Sequence, residues 1–545
     1  MPHAAPYHRR AQRAGAPARA MTPLDLAVIL AALILGLDLL ARQLKTPRPI
    51  VLATSGVGIG VLAHFIPGLP HVALQPRLIL GLVLPPLLAG AAFRVSLSAF
   101  RASLRPIAFL AIGLVFATTA GVAAVAHAVV PGLPWAAALV LGALVAPPDS
   151  VAATTLAGSV GLRNRLVTIL EGEGLVNDAT ALVAYQLAVQ AAVTGEFSWG
   201  HAATTLLLSA PAGVLVGLAV GWATAQIRRR VDDSLLESAM SLLAPYVAYV
   251  LAEHLHSSAV LAVVAFGMYI RQRATEIGSP PTRLVNRTVW QVMDFITGGL
   301  VFVLVGLEVG EAATAIFSAA TLGRAAAVVG ATIGIRLAWM YVVPHLDRLR
   351  HPAAKSDVPS WRELTVLGWA GMRGVVSLAL ALAIPAQTAS GMPLPGREDV
   401  VILALAVVLA TLIGQGLTLG PLIRRLGIAD PGAPAREEAA AREAAIRAAR
   451  AQLDALAAQG ALRLDQLEHL EHKLEHGLGV RPDHRAKQPG DGTAALLQAL
   501  TAERETIRQW WNEGRLNEDS ALRLEAELDL AEMSARGISG RILGS

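Results

Sequence analysis

The stretch Glu171-Gly-Glu173-Gly174-Leu-Val-Asn177-Asp178-Ala-Thr180 carries three carboxylates and an amide. On a helix Glu173 and Asn177, four apart, share one face, and Gly174 and Asp178 share the next. Glu171 and Asp178, seven apart, nearly eclipse. Oxygen donors grouped in this way suit a hard cation or a proton. A second stretch reads Ala146-Pro147-Pro148-Asp149-Ser150. Its two prolines remove two backbone donors and break a helix. Asp149, beside the break, can offset the positive end of the half-helix that follows. A third stretch, Gly368-Trp-Ala-Gly371-Met372-Arg373-Gly374-Val-Val-Ser377, has glycines that permit unwinding. Arg373 is its one strongly basic residue.

What these groups can do depends on the elements that hold them. The chain has 545 residues, 54% apolar and 16% charged, against about 45–50% and about 25% in an ordinary soluble protein. The same numbers exclude disorder. There is no cysteine, which excludes disulfides, thiolate metal sites and a thiol nucleophile. The formal net charge of +5 is spread along the chain and does not form a nucleic-acid surface. These observations predict an all-α polytopic membrane protein.

A membrane helix needs about 20 mostly apolar residues. Thirteen such spans are predicted, including a fifth at 134–158, a sixth at 166–193 and a twelfth at 363–385. Odd loops carry the basic residues, such as Arg94, Arg101 and Arg105, or Arg271, Arg273, Arg283 and Arg287. Even loops are nearly free of them. This alternation predicts an N-terminus outside the cell and a cytoplasmic tail. Residues 1–20, with Arg9, Arg10, Arg13 and Arg19, read as a disordered extension or an over-called start. Residues 21–427 form the expected membrane domain. Residues 428–545, rich in Ala, Glu and Arg beyond a Pro/Gly linker, form the expected helical cytoplasmic domain. Within it, Trp510-Trp511 and Leu524, Leu528 and Ala531 suggest an amphipathic hairpin turning near Gly514.

The three polar stretches thus fall at membrane depth, where each charge costs roughly 2.5–3.5 kcal/mol and marks a functional candidate. Three carboxylates within three turns cannot all stay ionised there. A lone buried Arg needs a partner, and Glu173 is the expected partner of Arg373. Arg336 is assigned a structural ion pair of its own. The breaks in spans five and twelve, seven spans apart, fit inverted repeats with a binding site between them. A cation channel could use the same carboxylates. A membrane aspartyl protease could use Asp149 and Asp178, although the usual Tyr-Asp and Gly-x-Gly-Asp contexts are missing.

Residues 24–427 resemble the NhaP/NHE type of the monovalent cation:proton antiporter family. The resemblance rests on Glu173-Gly174-Leu-Val-Asn177-Asp178-Ala, on Leu84-Pro85-Pro86-Leu87-Leu88, and on Ala244-Pro245-Tyr246-Val-Ala-Tyr249 running to Ser258-Ala-Val-Leu261. It rests also on Gly371-Met-Arg373-Gly374-Val-Val-Ser377 and on Gln415-Gly416-Leu-Thr-Leu. It implies a homodimer in the inner (plasma) membrane, with a core of spans four to six and eleven to thirteen. It implies that Asp178 binds either the cation or the proton, that Asn177 is its neighbour, and that Asp149 lies where the broken helices cross. It implies no resident cofactor, the only metal being a transported monovalent cation at Asp178 and Asp149. Glu171, Pro148, Ser150 and Gly174 are secondary candidates.

Members often have Thr-Asp-Pro where this chain has Pro148-Asp149-Ser150, and Ser where it has Gly174. An acidic residue commonly follows the third-span motif, where here Ala89-Gly90-Ala91-Ala92 stands. Fewer side-chain ligands leave K⁺ and Li⁺ open beside Na⁺. One titrating carboxylate beside an Asn predicts electroneutral 1:1 exchange of cation for H⁺, serving pH and salt homeostasis.

Overall fold

The computed structural model describes residues 23–44, 46–65, 79–159, 161–195, 199–231, 233–311, 316, 319–350, 359–430, 432–475 and 491–536. The expected N-terminal extension, 1–20, lies outside them. Among the described residues the protein is helical, without a strand and with one isolated bridge between Gln387 and Pro393.

The first helices are α1 (Pro23–Leu44), α2 (Arg48–Phe65), α3 (Leu84–Arg94) and α4 (Leu104–Val129). An interrupted pair follows, α5 (Trp135–Val145) and α6 (Ser150–Ser159). Next come α7 (Asn164–Thr194), α8 (Trp199–Arg228), α9 (Ser234–His254), α10 (Ala259–Gln272), α11 (Pro280–Glu311) and α12 (Ala319–Arg350). A second interrupted pair is α13 (Trp361–Trp369) and α14 (Val375–Leu382). The bundle closes with α15 (Arg397–Arg425). Beyond it lie α16 (Ala433–Ala458), α17 (Leu464–Glu475), α18 (Asp491–Asn512) and α19 (Glu518–Ala535).

Local sequence explains many of these boundaries. Asp233 caps α9 by accepting from the Leu236 N–H, and Ser258 caps α10 by accepting from the Leu261 N–H. Ser360 and Glu363 form a reciprocal capping box on α13. Gly195, at φ +75°, ends α7 in the left-handed conformation. By length and composition, seven of the described helices can cross a membrane, and three shorter ones are also apolar. At 31 residues, α7 is about 45 Å long, which exceeds the roughly 30 Å hydrocarbon core.

The bundle has two main apolar cores. One gathers α4 to α7 and α12 to α15, together with α2 and part of α11. The other gathers α3, α8, α9 and α10. Helices α2 and α11 approach closely because Gly56 faces Gly306, where a Cβ on Gly56 would lie 2.9 Å from the Gly306 Cα. The tail has a core of its own, from Ala441, Ala445, Ala449 and Leu453 on α16 and apolar residues of α18 and α19. Helices α18 and α19 form a hairpin whose turn contains Gly514 at φ +70°.

Candidate cation and proton site

The breaks in the two interrupted helices meet. Pro147 and Pro148 cannot donate, so α5 stops at Val145 and α6 begins at Ser150. Residues 371–374 are likewise outside any helix. The Asp149 N–H donates to the Met372 carbonyl at 2.6 Å. The Asp149 Oδ1 accepts from the Val151 and Ala152 N–H groups at 3.0 and 3.2 Å, which satisfies the opened N-terminus of α6. Gly374 lies directly against the Asp149 carboxylate, and a Cβ there would collide with it.

The structure corrects the expected Glu173–Arg373 pair. Glu173 pairs with Arg336 of α12, in a two-pronged contact at 2.5 and 2.9 Å. Glu173 is 1% exposed and Arg336 0%. Arg336 also donates to the Leu367 carbonyl at 3.3 and 3.1 Å. Arg373 reaches carbonyls instead. Its Nε donates to Val145 O at 2.8 Å and its Nη1 donates to Gly371 O. Its own N–H donates to the Thr411 Oγ1 at 3.0 Å. Thr411 belongs to a π-helical turn, Ala410–Gln415, within α15, a deformation often found at functional sites. The physical reason for the correction is end chemistry. A guanidinium at the end of a half-helix finds unpaired carbonyls nearby, so Arg373 needs no carboxylate.

A cavity of about 40 Å³ lies beside the crossing. Asp149, Asp178, Ser150, Pro148, Gly174, Gly374 and Ser377 line it, with Leu87 and Leu88 of α3 and Phe302 of α11. It has room for a small ion and a water or two. The structure therefore brings together Asp149, Asp178, Pro148, Ser150 and Gly174. Asn177, Glu173, Glu171 and Arg373 do not line the cavity. Half-buried Glu171 instead lies within electrostatic reach of Arg94.

Asn177 is 0% exposed, and its Nδ2 donates to the Pro148 carbonyl at 3.3 Å, tying α7 to the first break. Its Oδ1 is buried and has no partner, as is the Ser377 Oγ. Unpaired buried oxygens are costly; Ser377, unlike Asn177, lines the cavity, and its hydroxyl with the two carboxylates forms a donor set that fits a hard cation. Two departures from the family pattern touch each other, since a side chain at position 174 would fall on that of Ser150. The hydroxyl is therefore carried by α6, and Gly174 makes room for it.

Sequence reasoning missed Arg336 as the partner of Glu173, and Ser377 and Thr411 as site residues. Ser377 stood in the quoted twelfth-span motif. Thr411 carried no signal beyond being a polar residue in an apolar span.

The family profile described as "Sodium/hydrogen exchanger, transmembrane" matches residues 29–425. An uncharacterized Na⁺/H⁺ exchanger of Mycobacterium tuberculosis is 31% identical over 523 residues, covering 93% of this chain and 94% of that protein. The Na⁺/H⁺ antiporter ApNhaP of Aphanothece halophytica is 30% identical, with 85% and 86% covered. A sodium, potassium, lithium and rubidium/H⁺ antiporter of Bacillus pumilus is 32% identical, with 73% of this chain and 60% of that protein covered. The solved sodium proton antiporter MjNhaP1 of Methanocaldococcus jannaschii superposes with a TM-score of 0.54 at 20% identity, covering 74% of this chain and 99% of that one. With a family profile matching most of its length and relatives above 30% identity along nearly all of it, the chain belongs to the sodium/hydrogen exchanger family.

Proposed function

We propose that the protein is a secondary active transporter, not an enzyme, that exchanges a monovalent cation for H⁺ across the plasma membrane. Na⁺ is the first substrate, with K⁺ and Li⁺ next. The observation that carries this reading is Asp178 lining a small cavity with Asp149 where two interrupted helices meet. Among the described residues no ion pair engages Asp178, whereas Glu173 is held by Arg336. Asp178 is therefore available to a proton or a cation in turn.

A bare carboxylate facing hydrocarbon is the forbidden state. The core changes access only when Asp178 is neutralised by one ligand or the other. That condition couples the two fluxes without a resident cofactor. With Asn177 neutral and a single carboxylate exchanging ligands, the exchange is electroneutral at 1:1. The unpaired Ser377 Oγ, on a residue that lines the cavity, supplies a neutral oxygen to the cation, and Asn177 holds the first break beside it through the Pro148 carbonyl. The Bacillus relative, named for several alkali cations, supports leaving the site open to K⁺. The proposed topology has thirteen spans from 21 to 427, the N-terminus outside and residues 428–545 in the cytoplasm. The proposed assembly is a homodimer, and the role is pH and salt homeostasis.

Everted vesicles with a pH-sensitive dye test this reading, with Na⁺, K⁺, Li⁺ and Ca²⁺ added in turn. The expected result is alkali-cation-dependent dissipation of the proton gradient, lost in Asp178→Asn while protein stays in the membrane. Undiminished exchange in Asp178→Asn overturns the assignment. Exchange that shifts with an imposed membrane potential overturns electroneutrality. Large single-channel currents would support a channel instead.

A further inference from the structure

Two of the contacts between the tail and the bundle are unlike each other. In one, Arg283 of α11 and Arg504 of α18 share Asp529 and Glu532 of α19, two guanidinium groups for two carboxylates. The other surrounds a cavity of about 610 Å³. Arg101, Arg271 and Arg273 of the bundle and Arg508 of α18 line it, with Ser98, Trp511 and Asn512. Among the described residues that line it, Glu525 is the only carboxylate. Four guanidinium groups thus face one lining carboxylate, and Glu518 of α19, outside the lining, lies within electrostatic reach of Arg271, which leaves positive charge in excess.

The arginines are also held in place. Arg271 stacks over the Trp511 ring at 4.5 Å and donates from Nη1 to Glu525 at 3.2 Å. Its Nε and Nη2 are buried and have no partner. Arg508 is anchored by one donor to the Gln272 carbonyl at 2.7 Å, and Arg273 stacks on Tyr269. A guanidinium presents a planar fork that matches phosphate oxygens, and several such groups around one recess suit a phosphate-bearing anion. The volume falls within the range of about 300–1,000 Å³ typical of small-molecule sites and exceeds what inorganic phosphate fills.

We propose that this cavity between the tail hairpin and the bundle binds a phosphoester anion, which bridges α18 to Arg101, on the short helix Leu97–Ala102, and to Arg271 at the C-terminal end of α10. Such an anion can come from a soluble nucleotide or from the headgroup of an anionic phospholipid. The site is separate from the proposed transport cavity, and its test does not depend on transport.

The full-length protein would be titrated with ATP, with inorganic phosphate, and with phosphatidylcholine vesicles containing or lacking phosphatidylglycerol. Binding and amide hydrogen exchange over 491–512 are the readouts. The expected result is saturable binding of ATP, or phosphatidylglycerol-dependent protection of 491–512. Either should weaken by about tenfold in Arg508→Ala and in Arg101→Ala and fall with added salt. Arg515→Ala, outside the cavity, should bind as the parent does. Arg101 is exposed, so Arg101→Ala should keep the unliganded exchange pattern of the tail and remain interpretable if Arg508→Ala does not fold. Response to ATP assigns the soluble source, and response to phosphatidylglycerol alone assigns the lipid. The proposal is overturned if no probe binds saturably, if binding survives both substitutions, or if inorganic phosphate competes as well as ATP.

Discussion

The two helix interruptions at the centre of the bundle are built in opposite ways. Prolines force the first, between α5 and α6, and it presents a carboxylate. Asp149 turns that carboxylate onto the freed N–H groups of Val151 and Ala152. The second, between α13 and α14, is permitted by glycines and presents a guanidinium. Arg373 turns it onto the freed carbonyls of Val145 and Gly371. Each charge thus serves the helix ends whose partial charge is opposite to its own. The comparison teaches that a charge at membrane depth need not seek the nearest opposite charge. Backbone ends exposed by a break compete for it, and at this crossing they win.

The widest break in the comparison would come from the pair the sequence did not foresee. Glu173→Ala should leave Arg336 buried and unpaired, at a cost of about 3–5 kcal/mol, read as lost thermal stability of the purified protein. A double-mutant cycle should show strong coupling of Glu173 to Arg336 and little to Arg373. The reverse result would restore the sequence-based pairing and end the contrast between the two interruptions. Next in size, Arg373→Ala should strand two buried carbonyls, costing about 3 kcal/mol, with partial recovery in Arg373→Lys. The same thermal assay checks both variants.

Gly374→Ala tests whether the two interruptions must touch. Its Cβ would meet the Asp149 carboxylate, so a cost of about 2 kcal/mol and a loss of vesicle exchange are expected. Wild-type behaviour would mean that the close approach is unimportant. The smallest effect should come from Thr411→Val, which removes the acceptor of the Arg373 N–H and should cost about 1 kcal/mol. A larger loss there would place the weight of the second break on α15 rather than on Arg373.

Much of this was legible in the chain. The Pro147-Pro148 and Gly371–Gly374 stretches are local signals, because missing donors and missing side chains act where they stand. Asp149, Asn177 and Asp178 declared themselves as polar groups in apolar runs. The partner of Glu173 was not legible. Arg336 and Arg373 are both arginines at depth, 163 and 200 residues from Glu173 by their numbers in the chain, and sequence distance does not rank them. Ser377 looked like one more small residue until its buried, unpartnered oxygen was found at the cavity. The tail hairpin was readable from its periodicity. The basic cavity beneath it was not, since its arginines come from the short helix Leu97–Ala102, the C-terminal end of α10 and α18, far apart in sequence.

By itself the sequence determined composition, the positions of apolar runs, the helix breaks and the charges that fall within them. All of these follow from local covalent chemistry and from a helical period that needs no partner. The tertiary structure alone decided which helices became neighbours. It therefore decided that Arg336 claims Glu173, that Arg373 is satisfied by backbone, and that Asp178 faces a cavity with no ion pair among the described residues. Pairing depends on distance in space, and packing of distant helices sets that distance.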